Sequence, residues 1–170
     1  MKWLKYLPLI FILLPGAFFL IGILTPRFSY ECVIETPTEI SEAWEVFVDP
    51  SLMSEWVEGF QGMELIEGDS MQAGSRYHML VENQGESFEM LEEVIVADPP
   101  ERFSFLLENE VMFSKVKITL KRTDYGTRFT ALHEIEGKNI FWKSLFPLMK
   151  GQFQAQSQEG YLRLKQLMER

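Results

Sequence analysis

Val111-Met-Phe-Ser-Lys-Val-Lys-Ile-Thr-Leu-Lys-Arg122 alternates along its length. Met112, Ser114, Val116, Ile118 and Leu120 fall on one side, Lys115, Lys117 and Thr119 on the other. A period of two is the mark of a strand with one wet and one buried face. Asp124-Tyr-Gly126 turns the chain into a second such run, 127–136, where Phe129, Ala131, His133 and Ile135 share a face. Upstream, Met63 to Glu67, Arg76 to Val81, Ser87 to Ala97 and Arg102 to Glu108 read as further strands. They are punctuated by Gly68-Asp69, Gly74, Glu82-Asn-Gln-Gly85 and Asp98-Pro-Pro100. Short strands joined by tight turns predict an antiparallel meander.

Helical patterns flank the meander. Phe28 to Thr36 reads as a strand ended by Pro37, after which Thr38 serves as a cap. Ile40, Ala43, Trp44, Phe47 and Val48 then follow at helical spacing, predicting a short amphipathic helix that stops near Asp49-Pro50. Ser51 to Val57 predicts a second short helical turn. From Asn139 to Met168 the spacing is helical again, through Leu145, Met149, Phe153, Gly160, Leu164 and Leu167. Pro147 marks a break or a first turn and Gly151 a weak point. One long helix must bury its stripe, and the apolar face of the meander is the large surface on offer. The fold class is α+β.

The amino terminus has a different character. No charged side chain occurs from Tyr6 to Thr25, and Leu7 to Leu24 is almost wholly apolar. About 20 such residues cross a ~30 Å hydrocarbon core. A removed secretory signal is the competing reading, but its apolar stretch is usually shorter, ~7–15 residues, and Gly22-Ile-Leu-Thr-Pro26 offers no convincing cleavage site. The expectation is a single-pass signal anchor over 1–26 carrying one domain over 27–170. Lys2, Lys5 and the amino terminus lie before the run and Arg27 after it. The positive-inside rule then leaves the amino end in the cytoplasm and the domain on the outer side of the cytoplasmic membrane.

Setting aside Lys2 and Lys5 leaves 14 of the 16 basic side chains against 25 acidic ones, a net charge of −11. Such a field repels phosphate backbones, so nucleic acid is excluded as a partner; an apolar or cationic ligand suits it better. Cys32 is alone, so no internal disulfide forms. Two histidines and one cysteine give no zinc-ligand spacing, and no nucleophile elbow, phosphate loop or dinucleotide fingerprint occurs. No metal or cofactor is expected.

Several stretches resemble the bacterial members of one superfamily. Glu35-Thr-Pro-Thr-Glu-Ile-Ser-Glu-Ala-Trp44 is similar to their first-strand exit and helix start, and Asp49-Pro-Ser-Leu-Met-Ser-Glu-Trp56 to the segment that follows. Ala73-Gly-Ser75 resembles their glycine turn, Asp98-Pro-Pro-Glu-Arg102 their proline turn and Gly126-Thr-Arg-Phe-Thr130 a strand opening. Leu162-Arg-Leu-Lys165 resembles the end of their terminal helix. In this order and spacing, over residues 28–169, the chain resembles the START-like helix-grip (SRPBCC) superfamily. That superfamily includes the polyketide cyclase/dehydrase and lipid-transport group and the Bet v 1-like proteins. The resemblance implies a curved antiparallel sheet of about seven strands around a long carboxy-terminal helix, with a cavity between them. Related proteins hold lipids, sterols or polyketides there, and some catalyse cyclisation, dehydration or hydrolysis. The fold alone names no reaction.

Candidate wall residues of that cavity are Trp44, Trp56, Tyr77, Phe129, Met149 and Phe153, the alternative being that they simply fill the interior. Gln156 falls nearest the buried stripe of the terminal helix as a ligand for a polar headgroup, while Gln152, Gln154 and Gln158 read as ordinary exposed helix. His133 shares the inward face of its strand and joins the ligand-binding candidates; whether His78 or its neighbours Tyr77 and Met79 face inward is open. His133 and Tyr77 are the candidate proton-handling groups if the domain is an enzyme. Glu82, Glu86, Glu89, Glu92 and Glu93 crowd one hairpin; paired-carboxylate chemistry needs one of them buried, and since they sit around a loop and on alternating positions most read as a solvated face. The expected function is membrane-tethered binding, transport or sensing of a hydrophobic small molecule or lipid. A cyclase/dehydratase-like enzyme acting on an apolar substrate and a ligand-free interaction module are the alternatives.

Overall fold

The computed structural model describes residues 7–83 and 85–170. Seven strands form one sheet: β1 (Arg27–Thr36), β2 (Phe60–Glu67), β3 (Arg76–Asn83), β4 (Glu86–Asp98), β5 (Arg102–Glu108), β6 (Met112–Thr123) and β7 (Gly126–Gly137). Their order is β1-β7-β6-β5-β4-β3-β2, and every pair is antiparallel. The chain therefore leaves β1 at one edge, crosses to the far edge and meanders back until β7 lies beside β1. Two short helices make the crossing, α2 (Ile40–Val48) and α3 (Met53–Trp56), with a 3₁₀ turn (Pro50–Leu52) between them. The expected strands are present, and the inward faces of β6 and β7 hold the residues that alternation predicts.

Curvature comes from irregular pairing. β4 pairs Val94 with Phe105 but Val96 with Ser104, so one extra residue on β4 bends the sheet. Two further slips lie between β2 and β3. The concave side packs a core of fully buried Phe129, Ile118, Leu120 and Leu164.

The carboxy-terminal segment is two helices, α4 (Ile140–Leu148) and α5 (Lys150–Met168), where the sequence suggested one. The break lies at Met149 (φ −95°, ψ 4°), two residues beyond Pro147. Pro147 has no N–H to return to the preceding turn, so the helix ends within the residues that follow it. Asn139 caps α4 through its side-chain oxygen, which accepts from the Phe141 and Trp142 N–H groups. The cap expected of Thr38 does not form: Glu39 occupies the cap position of α2, without a side-chain bond. Thr38 instead donates to the Met168 carbonyl (2.6 Å) and, through its own carbonyl, accepts from the Thr127 hydroxyl (2.7 Å). It ties the end of α5 to the β1–α2 corner.

The uncharged amino-terminal run does form a helix, α1 (Leu7–Leu24). It lies along α4, with Phe18 and Phe141 5.8 Å apart and Gly22 so close to Ser144 that a Cβ there would meet its hydroxyl. Among the described residues no helix is long and apolar enough to cross a membrane. Lys2, Lys5 and Tyr6, on which the expected anchor's start and orientation rest, lie outside the described residues, as does Gln84 of the β3–β4 turn.

Candidate functional site

A cavity of about 290 Å³ lies between the concave face of the sheet and α5. Alternation delivers its floor: Met79 from β3, Glu92 from β4, Phe103 and Phe105 from β5, Ser114 from β6 and His133 from β7. Trp56 at the end of α3 and Phe153, Gln156 and Tyr161 of α5 close it from above. Gly160 permits that closure, because a Cβ there would stand 3.0 Å from the Trp56 carbonyl oxygen.

One polar cluster lies at the β1–β7 side. The ring of Tyr30 lies flat on that of His133, centroids 4.7 Å and planes 10° apart. The Tyr30 hydroxyl bonds Ser157 Oγ at 2.9 Å, and His133 Nε2 bonds the Tyr161 hydroxyl at 2.9 Å. Burial pushes the Tyr30 phenol up to about 12 and the Tyr161 phenol well above its usual range, while it lowers His133 to about 4. At neutral pH all three are uncharged and already paired with each other or with Ser157. Cys32 is buried beneath them, its thiol pushed up to about 11 by burial first and by Glu31 second. It is a packed, unreactive thiol.

Glu92 is the opposite case. It is 6% exposed on the concave face, opposite Tyr77 on β3 and Leu107 on β5. Burial pushes its carboxyl up to about 7, with no hydrogen bond or neighbouring charge among the described residues to offset it. A second polar group in the lining, the indole nitrogen of Trp56, is buried with no partner.

The sequence candidates divide evenly by position. Trp56, His133, Phe153 and Gln156 line the cavity. Trp44 sits deeper, edge-on to Phe47 and Phe103. Phe129 is sealed between Phe47 and Tyr161, each 5.2 Å away. Tyr77 points inward with Met79, while His78 turns outward to Glu89 at 3.4 Å; the Tyr77 hydroxyl accepts from the Met71 N–H (2.6 Å) and so holds the β2–β3 loop. Met149 stands at the α4–α5 junction. Gln154 and Gln158, expected as idle surface, donate to the Glu31 and Val33 carbonyls (3.1 and 3.2 Å) and cover the open edge of β1.

Glu92 is the residue the sequence reading did not single out from a mostly solvated row. The available signal was its spacing from Val94, which puts both on one face. Leu91 and Ile95 supply an equally apolar opposite face, so composition could not decide between them.

Solved structures share this architecture. Ara h 8.0201 superposes with a TM-score of 0.69 at 14% identity, covering 84% of this chain and 97% of that one. A conserved protein from Geobacillus kaustophilus gives 0.68 at 18% identity, covering 83% and 95%. The di-domain ARO/CYC BexL from the BE-7585A biosynthetic pathway gives 0.67 at 11% identity, covering 86% of this chain and 51% of that one. At these identities the likeness establishes the fold, a Bet v 1-like helix grip. No curated protein matches the sequence significantly. Residues 37–169 match the family model described as Activator of Hsp90 ATPase homolog 1-like protein, and the chain belongs to that family.

Proposed function

We propose that this domain binds a hydrophobic small molecule in the cavity between the sheet and α5. The observation that carries the reading is a largely apolar space of about 290 Å³ inside an otherwise close-packed core. Side chains that could fill it leave it open: Ser114, on the concave face of β6, presents a small hydroxyl where its neighbours present Val116 and Ile118. The test is native mass spectrometry of the full chain, gently purified, followed by solvent extraction of bound compounds. A defined co-purifying apolar molecule is expected. An empty protein that also refuses fluorescent fatty-acid and sterol probes would sink the reading in favour of an interaction module.

A second reading, a cyclase- or dehydratase-like enzyme acting on an apolar substrate, is favoured by Glu92. A buried carboxyl pushed up to about 7 in an apolar cavity is suited to general acid–base work. Conversion of the extracted compound by the wild-type chain, lost in Glu92→Gln, is what this reading requires.

We further infer that the uncharged run from Tyr6 to Thr25 tethers the domain to the cytoplasmic membrane, amino terminus inside and residues 27–170 outside. Support comes from Ile140, Phe141 and Leu148, exposed apolar residues on α4, the helix against which α1 lies. Resistance to carbonate extraction, with digestion of the domain by protease added to spheroplasts, is the expected result. Protection from the protease would reverse the orientation, and release by carbonate would remove the tether.

A further inference from the structure

We infer that the ligand is an apolar molecule bearing one basic nitrogen, bound as an ammonium against the Glu92 carboxylate. The inference rests on the cavity-binding reading above and names the chemistry of its ligand.

Four observations converge on it. Glu92 is more than nine-tenths buried, lines the cavity and has neither a hydrogen-bond nor an ion-pair partner among the described residues. An uncompensated buried carboxylate is costly, and a cation brought by the ligand removes the cost by completing the pair. Of the other titratable groups in the lining, Tyr30 is paired with Ser157, His133 with Tyr161, and Glu58 lies 4.0 Å from Arg163. The walls suit a cation as well, since Trp56, Phe103 and Phe105 turn aromatic rings toward the same space. The chain's net charge of −9 raises the local concentration of cations and lowers that of anions.

The same geometry argues against a fatty acid, whose carboxylate would face Glu92 without a cation between them. A neutral alcohol could accept a hydrogen bond from protonated Glu92, but its hydroxyl would gain no cation–π attraction from the aromatic walls and nothing from the field. The unpaired Trp56 N–H offers a second polar point, suited to an ether or carbonyl oxygen on the ligand body.

Octylamine, octanol and octanoate differ at one end only. Each has about nine or ten non-hydrogen atoms, which at about 30 Å³ apiece come close in size to the cavity of about 290 Å³. The experiment measures all three by calorimetry at pH 7.5 on the full chain in zwitterionic nanodiscs, with empty nanodiscs as reference. Octylamine is expected to bind at least tenfold tighter than octanol, with octanoate weakest. Glu92→Gln keeps the side chain's shape, and it is expected to lower the octylamine-to-octanol affinity ratio at least tenfold. Octanol matching octylamine on the wild-type chain would overturn the inference, as would a preference for amine that survives Glu92→Gln. Uptake of octanol without amine preference sinks this inference alone. Failure to take up any of the three sinks the cavity-binding reading with it.

Discussion

The ring of Tyr30 on β1 lies face to face with that of His133 on β7, centroids 4.7 Å apart, although the two are 103 positions apart in the chain. The contact exists because β1 and β7 are neighbours in register, with Tyr30 directly opposite His133. Cross-strand aromatic pairs of this kind contribute about 0.2–1 kcal/mol each. Here the pair also orients the imidazole so that Nε2 meets the Tyr161 hydroxyl on α5, linking sheet to helix through a buried bond of 2.9 Å.

Tyr161→Phe removes that hydroxyl and leaves His133 Nε2 buried without a partner. The expected loss is about 1–3 kcal/mol of unfolding free energy. Urea denaturation of the two chains side by side measures it, and a change below a few tenths would mean that water replaces the hydroxyl.

Glu92 and His133 face the same cavity, and burial shifts both toward neutrality, so their contributions to stability run in opposite directions with pH. The Glu92 carboxyl, near 7 in the folded chain against an ordinary 4.5, favours the folded state below pH 4.5; that contribution is lost as pH rises to 7. His133, near 4 against an ordinary 6.5, favours the folded state above 6.5, and that contribution is lost as pH falls toward 4. The other titratable side chains in the lining are Tyr30 and Tyr161, neutral throughout this range, and Glu58 beside Arg163. Glu92→Gln removes one of the opposing slopes. The variant should gain on the wild type steadily from pH 4.5 to 7, reaching on the order of 3 kcal/mol. Denaturant midpoints at half-unit pH steps give the difference directly. A constant difference would show that Glu92 finds a charge partner in solution.

Phe129 has no exposed surface and is wedged between Phe47 and Tyr161. Truncation to alanine leaves a hole that three elements cannot collapse into, so Phe129→Ala should cost about 3–5 kcal/mol. Gln156→Ala, on the exposed rim of the cavity, should change stability by less than about 0.5 kcal/mol. Thermal unfolding of the pair separates the packing role from the lining role.

The strands were legible because each has one face in water: β6 and β7 could be read to within a residue from Val116, Ile118, Phe129 and Ala131 alone. β4 was legible as a strand but not by face, because Leu91 and Ile95 on its outer side are as apolar as Val94 on its inner side. Only the neighbouring strands decide which way Glu92 points. The α4–α5 break was half legible: Pro147 announced it, but where a helix ends after a proline depends on what its last turn packs against. The role of Gln154 and Gln158 was not legible at all, since a glutamine bonded to a strand's edge carbonyls has the same spacing as one bonded to water. Among the site candidates, Trp56, His133, Phe153 and Gln156 lie around the cavity, while Trp44, Phe129 and Tyr77 have the same aromatic character and the same inward facing. What separates the two sets is depth, which hydrophobic periodicity does not encode.

Ser114 offers a way to separate stability from binding. It is buried on the concave face, lies across from Leu107 and Ile135 in the sheet and lines the cavity, and its hydroxyl has no side-chain hydrogen-bond partner among the described residues. Ser114→Phe adds five non-hydrogen atoms at that point, which at about 30 Å³ each would occupy roughly half of the cavity. Filling an open space restores dispersion contacts and removes a buried hydroxyl, so the variant should melt at or above the wild-type temperature. The same ring stands where the ligand would lie, so uptake of an apolar probe should fall at least tenfold. A melting scan paired with a probe titration reads both. A variant that keeps its stability and still takes up the probe would place binding outside the cavity. A variant that loses both would mean that the space is already closed in solution.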